Sequence, residues 1–236
     1  MLIKIDDQIV DELKQVALPS KTQQLQRFFK TGKDEYGEGD GFLGIKVPQI
    51  RSIVRKYWKE TNLKVAEELL HSKYHEMRMC ALLILVERYK KIASEREKIF
   101  RIYIASAKYI NNWDLVDLTA PQIVGGYLAD KPKTILYQFA KSKNLWERRI
   151  AILTTFNYIY QGESQETIKI ARILLHDPHD LIHKAVGWML REVGKRVDEK
   201  ILTNFLDKRY KEMPRTMLRY PIEKLSKTKR KHYLSK

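Results

Sequence analysis

The chain has 236 residues; 45 are Lys or Arg and 29 Asp or Glu, giving a net charge of +16 beside a hydrophobic share of 44%. With 13 Tyr, 7 Phe and 4 Trp, that apolar share can offset the ordering entropy of a folded core, so disorder of the whole chain is excluded. A lone cysteine, Cys80, excludes a disulfide scaffold, and 10 Gly with 7 Pro exclude collagen-like and low-complexity classes.

The N-terminus, Met1-Leu-Ile-Lys-Ile-Asp-Asp7, has acids where a secretory signal needs a basic start. The longest apolar run, Cys80 to Val86, is far short of the roughly 20 residues that span a bilayer. A cytoplasmic, reduced protein without membrane attachment is expected, with Cys80 a small core residue. The Gly-rich stretch from Gly32 to Gly41 lacks the Gly-Lys-Ser/Thr ending of a phosphate loop and holds four acids, so a mobile inter-helix loop is predicted there.

Helical periodicity dominates the rest of the chain. Strand signals are scarce, since Asp40-Gly41 precedes only a short stretch ended by Pro48. Helical runs cover 65–70, 78–89, 95–107, 132–141, 165–175 and 199–206, with breakers at Pro19, Pro132, Gly162, Pro178 and Pro214 between them. The runs also repeat. Ala81, Ala151 and Ala185 occupy equivalent places, with spacings of 70 and 34, and the vacant position falls on Val116. A two-helix unit of about 35 residues predicts an all-α fold, an α-solenoid of HEAT-like repeats whose second helices line a concave groove. We expect one domain over 1–236. Its last part, about 225–236, is expected to be a flexible basic tail: from Lys208 onward there are 11 Lys or Arg against two acids. A surplus of this size favours a polyanionic partner, most simply nucleic acid.

Three constellations carry chemistry. In Trp113-Asp-Leu-Val-Asp117, the tryptophan and Asp117 stand four apart on one helical face, and Asp114 lies three before Asp117. An aromatic face beside a carboxylate suits a cation; a core tryptophan with an exposed acid pairing a neighbouring repeat fits the spacing as well. In Asn144-Leu-Trp-Glu-Arg148-Arg149 the two arginines point about 100° apart, so one can clamp a phosphate or Asp117 while the other pairs across repeats. Lys184, Trp188 and Arg191 form a cation–aromatic–cation stripe, suited to nucleic acid or to plain helix packing, and Gly187 beside Trp188 marks a close approach. His176, His179 and His183 are interrupted by Pro178, and no metal site is expected from them.

Together with Gly41-Phe-Leu-Gly-Ile-Lys-Val-Pro-Gln-Ile-Arg51, these segments resemble, in order and over nearly the whole chain, the AlkD-type DNA alkylation-repair glycosylases. That resemblance implies a HEAT-like fold and a monofunctional, cofactor-free hydrolase. Its substrate would be double-stranded DNA carrying cationic alkylated purines, typically 3-methyladenine and 7-methylguanine, and the protein would act as a monomer. It also implies Asp117 as the catalytic carboxylate and Trp113 and Trp188 as the cleft tryptophans. Arg149 would be the cleft arginine, with Arg148 the alternative register. Phe28 would complete the cleft where the family has Tyr, and Arg149, Lys184 and Arg191 would grip phosphates. Non-catalytic relatives that bind branched or distorted DNA give the alternative function.

Overall fold

The computed structural model describes residues 5–235; residues 1–4, on which part of the N-terminal reading rests, and residue 236 lie outside them. The described chain is all-α, with no strand beyond one bridge between Gly41 and Tyr74. No described helix is long and apolar enough to cross a membrane. The chain divides into two compact units, Met1–Leu115 and Val116–Lys236.

In the first unit, α1 (Ile5–Gln15), α2 (Pro19–Phe28), α3 (Val47–Tyr57) and α4 (Leu63–Leu70) precede α5 (His75–Lys91), which α6 (Arg96–Ala105) follows. The starts are written locally. Pro19 and Pro48 sit in first turns, where a missing N–H costs nothing, and the Asn62 side chain accepts from the Val65 N–H at 3.0 Å. Helix α5 is the centre of this unit. It is buried on all sides from Met77 to Val86, with α3, α4 and α6 packed against it. Cys80 lies within it, fully buried, and burial pushes its thiol up to about 12. Buried Arg88 joins the elements: its guanidinium forks onto Glu95 and donates to the carbonyls of Trp58, Lys59 and Thr61.

Helix α7 (Trp113–Ala120) ends at Pro121, and residues Pro121–Gly125 form a single π-helical turn before α8 (Gly126–Leu128). Proline at 121 has no N–H to give to the carbonyl four residues back, so the α-helical ladder cannot continue there. A side chain at Gly125 would lie 2.6 Å from the Asn157 Cβ, which explains glycine at the end of that turn.

The second unit continues with α9 (Thr134–Ala140), α10 (Leu145–Thr154), α11 (Phe156–Tyr160), α12 (Gln165–Ile173), α13 (Asp180–Arg196), α14 (Glu199–Arg209), α15 (Arg215–Arg219) and α16 (Lys227–Leu234). Pairs α9/α10 and α12/α13 stack like on like: α9 packs on α12 and α10 on α13, the arrangement of an α-solenoid. The 35-residue period has a physical basis. Ala81, Val116, Ala151 and Ala185 are each fully buried in a helix, so the period marks a recurring place in the core.

The basic tail departs from expectation. It is helix α16, not a flexible arm. The Ser226 side chain caps it by accepting from the Lys229 N–H, and buried Tyr233 donates to Asp207 of α14 at 2.8 Å. Likewise, the Gly-rich loop is fastened at its end, where buried Asp40 pairs with Arg78 at 2.8 Å and accepts from Asn111 at 2.9 Å.

Candidate functional site

Within the first unit, Trp113 opens α7 with its N–H held by the Asn112 side chain at 2.9 Å. Its indole belongs to an aromatic cluster. Phe29 stacks on it at 5.5 Å, and Phe28 meets it edge-on at 5.9 Å. Phe29 continues the cluster to Phe42 at 5.2 Å and to the His75 ring at 4.9 Å. Phe28 is 61% exposed although it is a large apolar ring, so the cluster ends at the surface in an aromatic edge.

Behind this cluster lies a buried polar network that sequence reasoning missed. His75 lies 2.9 Å from the Asp114 carboxylate and 3.9 Å from Asp40, which also pairs with Arg78. Burial works against charging His75, but the charge and hydrogen bond of Asp114, with Asp40 beside it, lift the imidazole to about 9. Asp40 is shifted down: burial opposes its charge, and the hydrogen bond from His75, Arg78 and Asn111 outweigh it. Asp114 is thereby committed to the interior. A signal was present, since His75, Glu76 and Arg78 are charged or polar residues leading directly into the apolar run from Met79 to Val86.

Glu76 explains the Gly41–Arg51 segment. Its buried carboxylate accepts the N–H groups of Leu43, Gly44 and Ile45 at 2.9, 2.8 and 3.1 Å. Gly44 adopts φ +82° and lies so close to Leu18 that a Cβ would stand 2.1 Å from its carbonyl oxygen. The segment is therefore a tightly held connection to α3.

Within the second unit, Asp117 and Arg149 form a fork-to-fork ion pair. Nε and Nη2 donate to the two carboxylate oxygens at 2.8 and 2.7 Å, and Nη1 donates to the Leu181 carbonyl at 2.6 Å. Arg149 is only 5% exposed, and the Asp117 side chain keeps 13%. Arg148 turns the other way, onto Asp177 at 2.6 Å and the carbonyls of Ser142 and Lys143. Of the two arginines, it is Arg149 that meets Asp117, while Arg148 closes the connection between repeats.

Trp188 lies half-buried on α13, its Nε1 donating to Glu192 at 3.2 Å and its ring 5.5 Å from Phe156. Arg196 spans the adjoining rings, 4.4 Å from Tyr160 and 5.8 Å from Phe156. Buried Glu192 collects Trp188, Arg191 and Arg196. Burial opposes its charge, but these arginines, Arg196 first, keep its carboxyl below the ordinary value. Both cations of the cation–aromatic–cation stripe are engaged by carboxylates: Lys184 pairs with Asp180 at 2.7 Å and Arg191 with Glu223 at 2.6 Å. Gly187 does mark a close approach, but of protein. A Cβ there would sit 2.5 Å from the Met217 carbonyl oxygen and 2.7 Å from the Tyr220 Cβ.

The three histidines have structural tasks. His179 caps α13 through Nδ1, accepting from the Leu181 N–H at 3.1 Å, and burial lowers its pKa. His183 hydrogen-bonds the Asp177 carbonyl, and His176 lies 3.6 Å from Glu212. Among the described residues no cluster of His, Cys, Asp and Glu could hold a metal ion.

Comparison with known proteins places this geometry in context. The family model for DNA alkylation repair enzymes matches residues 9–225. A solved structure described as a predicted DNA alkylation repair enzyme from Enterococcus faecalis superposes with a TM-score of 0.71, covering 89% of this chain and 97% of that one. The two are 18% identical, so the likeness bears on the fold. No curated protein sequence matches the chain.

Proposed function

This chain belongs to the family of DNA alkylation repair enzymes, and from that premise we propose that it is a monofunctional glycosylase hydrolysing the N-glycosidic bond of cationic alkylated purines in duplex DNA. It acts as a monomer in the cytoplasm, and 3-methyladenine and 7-methylguanine are its substrates. Alkylation of a ring nitrogen makes the base a cationic leaving group. When the bond from C1′ breaks, its electron pair goes to the base, which departs neutral, and positive charge passes to the sugar. Asp117 stabilises that oxocarbenium-like sugar and orients the water whose oxygen then bonds to C1′. The water proton leaves through the carboxylate to solvent. Trp113, with Phe28 beside it, and Trp188 each offer a ring face to the cation. Because water is the nucleophile, no lysine is joined to the sugar and the strand is not nicked.

The observation that carries this reading is the Asp117–Arg149 pair. A carboxylate offers about four acceptor sites, and the guanidinium fork engages one on each oxygen while locking the plane of the group. A carboxylate so fixed is pre-oriented for a developing cation and needs little rearrangement when the charge appears. Arg149 here positions Asp117, so phosphate contact falls to Lys184 and Arg191 exchanging their present carboxylate partners for the backbone.

The test is release of free methylated base from duplex DNA containing 7-methylguanine and 3-methyladenine, with Asp117→Asn alongside. Release by the wild type and at least a hundredfold less by the variant, with DNA binding retained, supports the assignment. Equal release by both removes Asp117 from the mechanism. Binding without release by either favours a non-catalytic reader of branched or distorted DNA.

A further inference from the structure

We infer that α16 is a second, sequence-independent DNA contact, an electrostatic anchor that grips duplex phosphates away from the reacting base. The family match covers residues 9–225, and α16 begins two residues beyond it. It presents two unlike sides. One is committed to protein: Tyr233 is buried against Tyr210 and donates to Asp207, and Lys229 pairs with Glu199. The other carries Lys227, Arg230, Lys231 and Leu234, at i, i+3, i+4 and i+7, which line one shallow surface. The three cations are exposed, and no acid pairs with them among the described residues. The nearby acids Glu199 and Asp207 are engaged on the inner side.

That pattern differs from Lys184, Arg191 and Arg196 of α13, which are engaged by carboxylates. Holding like charges close together on an ordered helix is costly unless a polyanion neutralises them. Lys227 to Lys231 covers about 6 Å of helix axis, a length over which duplex DNA carries three or four phosphate charges. An anionic membrane is the competing polyanion. It fits less well, because the stripe offers a single apolar residue, Leu234, where an interfacial helix needs a broad apolar face.

The inference needs DNA as ligand but not the excision chemistry, so its test reads binding alone. Affinity of the full chain for an undamaged duplex is measured across salt concentrations for the wild type and for Lys227→Gln/Arg230→Gln/Lys231→Gln. The capping Ser226, Lys229 and Tyr233 are left intact. A control of equal charge change, Lys64→Gln/Lys90→Gln/Lys98→Gln, alters exposed lysines of the first unit. The slope of log K against log salt is expected to fall by about 2 to 3 in the α16 variant and clearly less in the control. If the triple variant misfolds, as judged by its melting curve, Arg230→Gln alone should lower the slope by about 0.9. An unchanged slope, or an equal fall in the control, overturns the inference. So does loss of binding to phosphatidylserine vesicles with DNA binding unaltered.

Discussion

Arg149 holds Asp117 by both carboxylate oxygens and has a third donor on the Leu181 carbonyl, so one buried guanidinium fixes an acid and a neighbouring helix start together. Lysine keeps the charge but has neither the fork nor the reach to satisfy three acceptors at once. Arg149→Lys should therefore lower stability by about 2–4 kcal/mol in denaturant unfolding, somewhat less than the roughly 3–5 kcal/mol for removing one partner of a buried pair outright, because the charge is kept. It should also reduce base release at saturating DNA, because the acid is no longer held in one plane. Normal release from a destabilised variant would show that orientation of Asp117 is irrelevant.

His75 gives a pH dependence whose sign is fixed by its surroundings. Its pKa rises from 6.5 to about 9, against the pull of burial, through Asp114 and Asp40. A raised folded value means the stabilisation is fully present below pH 6.5 and drains away as pH rises through about 9. At most about 3 kcal/mol is involved. Unfolding free energy should decline over that window in the wild type, and the decline should flatten in His75→Gln, whatever that variant's absolute stability.

Gly187→Ala sets two effects against each other. Alanine is favoured over glycine mid-helix by about 1 kcal/mol. The added methyl, however, would press on backbone and on the Tyr220 Cβ, neither of which is a flexible side-chain end. Overpacking of this kind costs about 1–3 kcal/mol, so the variant should be less stable than the wild type. A rise in denaturation midpoint would mean that α15 moves aside freely.

Glu76→Gln tests the connection into α3. The amide retains one acceptor oxygen for three backbone donors, and hydrogen bonds to a charged acceptor contribute about 1.5–3 kcal/mol each. Amide exchange at Leu43, Gly44 and Ile45 should accelerate together in the variant. Acceleration at only one of the three would indicate that the loop holds its shape without the carboxylate.

The helical repeat was legible because helix packing imposes a local rule: every 35 residues or so a helical residue returns to a recurring place in the core, and Ala81, Val116, Ala151 and Ala185 do so. Much of the site chemistry was not legible for the opposite reason. The partner of His75 lies 39 residues away, that of Arg149 lies 32 away, and that of Tyr233 lies 26 away. Asp180 stands four residues before Lys184, a spacing at which helical side chains meet, whereas Glu223 lies 32 residues from Arg191 and nothing in the spacing announced it. The tail looked disordered because its charge was visible and its anchor, Asp207, was not. Of the two arginines, spacing allowed one to reach Asp117; only the fold assigns that place to Arg149.

The π-helical turn at Pro121–Gly125 has a consequence for anyone who edits or aligns this chain. A π turn closes its ring over one more residue than an α turn, so it behaves as a one-residue insertion. Removing a single residue between Gln122 and Val124 would regularise the turn and leave the helix on either side in register, because the extra residue is absorbed within the turn itself. A protein lacking the turn should therefore align with this one only through a gap of one residue, placed just after Pro121, and grafts across that point should keep the count.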